Sequence, residues 1–286
     1  MEFGVFDILS STICFIFFVY FLYICYIVIS NRNIEFNRFW RTRLVFVSLA
    51  VLFLVCSAFS NVTFFSNIFS KEKRVYACGI SSFLSYGLVF PVFLFMVFSL
   101  AKVATSVKAL ESETPNHFII RNVLIFSSPF VLISLLFLFL VFFEPNYRIT
   151  LPYIESENVC MNPTAFSSVS VLASLFCLYL LYNYNDDSDI AGLNKNHKSS
   201  LSRFPIGVTA LLCCSIVSEI EPFVTNQILK SLKIVVFTCS IVSMCYFLRI
   251  IVTKPIQESL EVPIERGTIT KRHSKYIDDT ELVENA

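Results

Sequence analysis

Long uncharged apolar runs alternate with short polar ones along this chain. Seven runs stand out, at residues 8–30, 44–60, 79–100, 123–143, 165–182, 204–218 and 234–251. A helix needs about 20 mostly apolar residues to cross the hydrocarbon of a bilayer. The sixth run is the shortest. It begins beside Pro205 and stops against Glu219, Glu221 and Pro222, so a count of six spans is the alternative to seven. The runs do not alternate apolar and polar at every second position, as the strands of an outer-membrane barrel would. Backbone polar groups in hydrocarbon must be satisfied within their own segment, which forces helix. The pattern therefore predicts an all-α membrane protein, a seven-transmembrane helix bundle over residues 1–253. A polar segment follows at 254–286, where Pro255, Pro263 and mixed charge predict disorder. No internal repeat is visible, and no pair of similar triple-helix halves.

Composition agrees with that reading. Of 286 residues, 56% are hydrophobic and 15% are charged, and 32 are phenylalanine. Soluble domains carry about 25% charged residues. A net charge of +1 gives no bulk attraction to nucleic acid. The N-terminal run is too long for a cleavable signal peptide, and Glu2 and Asp7 stand where a basic region would be.

The distribution of basic residues sets an expected orientation. Arg32, Arg38, Arg41 and Arg43 fall in the first loop, Lys102, Lys108 and Arg121 in the third, and Lys195, Lys198 and Arg203 in the fifth. These share a side with the C-terminal tail and its Arg249, Lys254, Arg266, Lys271, Arg272 and Lys275. The other side holds Lys71, Lys73, Arg74, Arg148, Lys230 and Lys233. The tail is expected to be cytoplasmic and the N-terminus outside, with Lys71–Arg74 as the discordant cluster.

Eight of the ten cysteines lie inside apolar runs, where a thiol behaves as a small hydrophobe. No CxxC pair or Cys/His cluster occurs, so neither a metal nor a cofactor is expected. Cys78 and Cys160 differ, because each sits just before a run, on the side expected to be outside, where oxidation is favoured. A disulfide between them would pin the second outer loop over the third helix; two unrelated thiols are the alternative. Asn61-Val62-Thr63 has the glycosylation pattern, but close enough to the second span that an unused match is the competing reading. Pro91 and Pro129 fall inside spans and predict kinks.

Asp, Glu, Lys, Arg and His are absent from the middle of every run. That counts against ion or proton transport, though not against a carrier of neutral solutes. His117, His197 and His273 all fall in inner loops or the tail, and no HExxH motif appears, so the chain is not expected to be an enzyme. The fifth loop mixes Asp186, Asp187 and Asp189 with Lys195, Lys198 and Arg203. It is either a solvated connector or a docking surface for a cytoplasmic partner.

Seven spans, an outside N-terminus and the placement of Cys78 and Cys160 resemble a G-protein-coupled receptor. The rhodopsin-type marks are missing. The third run ends Ala101-Lys102-Val103-Ala104 without an acidic-Arg-aromatic triplet. The seventh ends Cys245-Tyr246-Phe247-Leu248-Arg249 without Asn-Pro-x-x-Tyr. The chain is more similar to the membrane half of the fungal, protist and plant receptors that carry a regulator-of-G-protein-signalling domain. The similarity lies in Cys78 followed by Pro91, in Cys160 before the fifth helix, and in Asp189-Ile190-Ala191-Gly192-Leu193 after it. It covers residues 10–255, and no regulator domain follows the seventh run. The resemblance implies a plasma-membrane receptor that couples an unknown extracellular ligand to a heterotrimeric G protein, with Asp189, Lys195, Lys198 and Arg203 as candidate G-protein contacts. The alternative is a facilitative transporter or channel for a small neutral solute.

Overall fold

The computed structural model describes residues 5–32, 40–61, 71–105, 115–144, 152–154, 159–186, 203–220, 223, 226–254 and 256. These form an all-α membrane protein. Helix α1 is Val5–Ser30, α2 is Trp40–Asn61, α4 is Pro115–Phe143, α5 is Thr164–Asp186 and α6 is Phe204–Ser218. Helix α3 is continuous through Lys71–Ser82, a π-helical stretch Phe83–Val89, and Phe90–Thr105. Helix α7, Asn226–Leu248, runs into a second π-helical stretch, Arg249–Thr253. A two-residue antiparallel pair, β1 (Tyr153–Ile154) with β2 (Val159–Cys160), lies between α4 and α5.

Six of these helices are long and apolar enough to cross a bilayer, and α6 is a shorter apolar helix. The chain is an integral membrane protein. Several helices run beyond the apolar stretches that announce them: α2 begins at Trp40, α3 at Lys71 and α4 at Pro115. Hydropathy marks only what must sit in hydrocarbon, whereas the helix continues until its backbone bonding stops. From Lys73 to Lys102 there are 30 residues, which at ~1.5 Å each reach about 45 Å, more than the ~30 Å hydrocarbon core. The Lys71–Arg74 cluster is thus the first turn of α3 rather than a loop.

The helices pack in chain order. Each of α1 to α6 touches its successor, and α7 returns to α1 and α2. Helix α3 runs through the interior, against α2, α4, α5 and the end of α7. Burial follows: 83% of the most apolar window of α3 is buried, against 17% for α1 and for α4. Those outer helices show large apolar side chains to their surroundings, among them Phe15, Tyr26, Leu124 and Leu136. Lipid is as apolar as leucine, so helix association here rests on close packing and hydrogen bonds rather than on hydrophobic transfer.

The phenylalanines supply much of that packing. Phe46 of α2 stacks on Phe93 of α3 at 4.5 Å, Phe93 meets Phe247 of α7 edge-on at 6.2 Å, and Phe247 stacks on Phe204 of α6 at 6.2 Å. A second group joins Phe95 of α3 to Phe126 and Phe130 of α4 and Phe176 of α5. Gly207 makes the α6–α7 approach possible, because a Cβ there would lie 2.5 Å from Cζ of Phe247.

Pro91 acts through the register of α3. In an α register its ring would collide with the carbonyl four residues back, that of Gly87, and it has no N–H to donate. Instead the backbone widens. The Phe90 N–H bonds to the Ser85 carbonyl, five residues back, which is the π pattern. The next bond in that register would run from residue 91 to the Tyr86 carbonyl, and proline cannot make it. The Ser170 hydroxyl of α5 donates to that carbonyl at 3.0 Å. The second π stretch also ends two residues before a proline: the Lys254 N–H donates to the Arg249 carbonyl, and Pro255 follows. Pro129 behaves differently, lying inside α4, which continues through it as α-helix.

This arrangement gives a measurable coupling. In Pro91→Ala an N–H returns that competes for the Tyr86 carbonyl. Ser170→Ala is expected to cost about 0.6–1 kcal/mol in the native background, the size of an interhelical hydrogen bond in a membrane, and nearly nothing in Pro91→Ala. A double-mutant cycle of unfolding in detergent reads the difference; equal costs in both backgrounds would disprove the compensation.

Candidate functional site

One end of the bundle concentrates the buried polar groups. Cys78, near the start of α3, is disulfide-bonded to Cys160 at the end of β2, with the two Cα atoms 5.4 Å apart. Both are buried. The pairing expected from topology is therefore present. The bond draws the chain inward, and Met161 and Asn162 are buried at the end of the bundle.

Four helices hold this short segment. The Ser82 hydroxyl of α3 donates to the Met161 carbonyl at 3.2 Å. The Lys233 ammonium of α7 donates to the Cys160 carbonyl. The Asn162 side-chain amide donates to the Ser167 hydroxyl of α5 at 2.7 Å and to the Ser218 hydroxyl of α6 at 3.3 Å. Ser218 in turn donates to Ser167 at 2.8 Å. The Met161 N–H closes the strand pair by bonding to the Pro152 carbonyl at 2.8 Å. Beside the segment, the Ser81 hydroxyl bonds to the Cys56 carbonyl of α2 at 2.6 Å, and the Ser168 hydroxyl donates to the Glu219 carboxylate at 2.8 Å. Residues 160–162 thus tie α3, α5, α6 and α7 together, with α2 joined through Ser81. Such groups in a low-dielectric setting stabilise only when paired.

The chemistry on offer is hydroxyls, one carboxamide, one ammonium and one carboxylate. In the structure these groups are engaged with one another and with backbone carbonyls through hydrogen bonds and charge. Among the described residues no group of three His, Cys, Asp or Glu side chains could hold a metal ion.

Several residues singled out from the sequence fall elsewhere. Arg203 is described and exposed, at the opposite end, where its carbonyl accepts a hydrogen bond from the Tyr246 hydroxyl at 3.2 Å. Asp189, Lys195 and Lys198 lie outside the described residues, as do Val62 and Thr63 of the glycosylation pattern that begins at Asn61. Of the two acidic residues beyond the sixth run, Glu219 engages Ser168, and Glu221 is outside the described residues. Lys233 was legible only as an outer-loop charge. The structure places it inside α7, 7% exposed. Its sole signal in the sequence is position: it stands within a turn of the seventh apolar run. In the sequence Asn162 stands in the triplet Asn162-Pro163-Thr164, which its proline closes to glycosylation, and nothing else there marks it.

No protein-family model matches this sequence, and no curated protein matches it.

Proposed function

We propose that this chain is a cell-surface seven-transmembrane receptor, with α6 as a full span, the disulfide end outside and the tail in the cytoplasm. The observation that carries this reading is the sequential ring of helices with α3 threaded through it and tied, by Cys78–Cys160, to a segment gripped by α5, α6 and α7. In such a bundle an extracellular ligand that shifts the buried segment 160–162 bears on four helices at once. A ligand that binds one packing of those helices more tightly shifts the population toward it. The surface at the other end changes with it, and a heterotrimeric G protein reads the change. The G protein enters through the resemblance to the membrane half of receptors carrying a regulator-of-G-protein-signalling domain.

A facilitative carrier is the rival reading. A carrier made of two similar triple-helix halves would pair helices within each half, and the ring here runs unbroken from one helix to the next. The test of the G-protein step is co-purification with each Gα subunit of the source organism. Association that is lost on adding a non-hydrolysable GTP analogue is expected. Indifference of every Gα to the protein and to nucleotide would rule out G-protein coupling.

A further inference from the structure

The end of the bundle opposite the disulfide carries exposed arginines, and their placement is regular. Arg32, Arg41, Arg121, Arg203 and Arg249 are all exposed. Each stands beside the outward-facing apolar stripe of a different helix: Arg41 and Arg121 within α2 and α4, Arg249 at the start of the π stretch that ends α7, and Arg32 and Arg203 in the turns just after α1 and just before α6. In α1 the stripe runs Leu22, Tyr26 and Ile29, and Arg32 lies in the turn two residues past the end of the helix. Arg41 lies one turn from the exposed Val45 of α2, and Arg121 lies one turn from the exposed Leu124 and Ile125 of α4. Arg203 stands three residues before the exposed Ile206 of α6, and Arg249 seven residues after the exposed Val242 of α7. Residues three, four or seven apart share a helix face. That places Arg41 and Arg121 on the outward faces of α2 and α4, and all five arginines, being exposed, lie on the outside of the bundle rather than in its centre, at the level where the stripes end.

Among the described residues the disulfide end lacks this pattern. Among the described residues its exposed charged side chains are Lys73 and Glu144, of opposite sign.

From this geometry we infer that the arginine ring is a binding surface for anionic phospholipids. The occupant must satisfy two demands at once. It must lie against apolar stripes in hydrocarbon, and it must present an anion where those stripes end. A soluble acidic protein meets only the second demand. A phospholipid with net negative charge meets both, its acyl chains along the stripe and its phosphate at the guanidinium. Arginine suits the task, because its planar fork matches phosphate oxygens two at a time and sheds water more readily than an ammonium. Its stem also lies along apolar surface while the head reaches the interface. Trp40 stands in the same rim, with the Arg41 guanidinium 5.5 Å from its ring centroid.

Trp40 is the only tryptophan in the chain, so its fluorescence reports on this rim alone. The full chain is reconstituted in vesicles of phosphatidylcholine mixed equally with phosphatidylserine, with bromine on the chains of one lipid or the other. Brominated phosphatidylserine is expected to quench Trp40 as though enriched about fivefold at the rim, the factor for one basic residue near a charged surface. Raising the salt concentration should erode that preference. In Arg32→Gln/Arg41→Gln it should fall to near parity. Equal quenching by the two lipids in the native protein, or a preference indifferent to salt, would overturn the inference. So would a preference left intact in the double variant, or one abolished by inorganic phosphate at matched ionic strength. Both leaflets carry the same lipids and no G protein is present. The result is therefore independent of orientation and of the receptor reading.

Discussion

Replacing Cys78 and Cys160 together by alanine is expected to be the most destabilising change at the disulfide end. The bond closes a loop of 82 residues, for which chain entropy alone gives about 4.5 kcal/mol in a freely unfolding chain. In a bilayer α3, α4 and α5 remain inserted when the bundle loosens, which shrinks the ensemble the bond restrains, so about 2 kcal/mol is the expected loss. The damage is not confined to α3. Without the bond, the Cys160 and Met161 carbonyls lose the anchor that presents them to Lys233 and Ser82. Thermal unfolding in detergent is the measurement. The double alanine variant and the reduced native protein should unfold at matching, lowered temperatures. A variant as stable as the oxidised native protein would show that the tie contributes nothing.

Gly207→Ala is expected to have the second large effect. The added Cβ would stand 2.5 Å from Cζ of Phe247 and 2.9 Å from Cε1. That ring is fully buried and sits between Phe93 and Phe204, so it has no free direction in which to swing. Overpacking of this kind costs about 1–3 kcal/mol. Here it would push α6 from α7 at the end away from the disulfide. The cause can be isolated by rescue. Phe247→Leu in the Gly207→Ala background removes the colliding atoms and should recover part of the lost stability. In the native background the same change should be destabilising. Rescue of neither stability nor expression would place the fault elsewhere than in this contact.

How much of this was legible in the sequence depends on the dimension of each property. Spans are read along one line, and the apolar runs mark six long helices and the shorter α6 without reference to packing. The Cys78–Cys160 pairing was legible because alternation of sides is also a one-dimensional rule. The clasp around residues 160–162 was not. Ser82, Ser167 and Ser218 look like any small residue in a membrane helix, and only the fold shows that three helices aim them at one point. Lys233 was misplaced because a positive charge stops a hydropathy window, although a helix can bury it once a carbonyl is brought to meet it. Pro91 announced a disturbance in α3, but not its form. A kink and a π stretch answer the same missing N–H, and the choice rests on whether a neighbour such as Ser170 can serve the released carbonyl. The arginine ring needed both levels, since its residues were counted correctly by side while their facing was invisible until the stripes were in place.

The unequal burial of the helices has an evolutionary consequence. Helix α3 is enclosed on nearly all sides, while α1 and α4 meet lipid over most of their surface. A lipid-facing position asks only for an apolar side chain, so Leu136 can drift to isoleucine or phenylalanine without penalty. A position in α3 must fit among as many as four other helices, α2, α4, α5 and the end of α7. Divergence should therefore run at different speeds along one chain, fast in α1 and α4 and slow through residues 71–105. Descendants of a common ancestor would then keep the middle of α3 recognisable long after their outer helices share little beyond hydropathy.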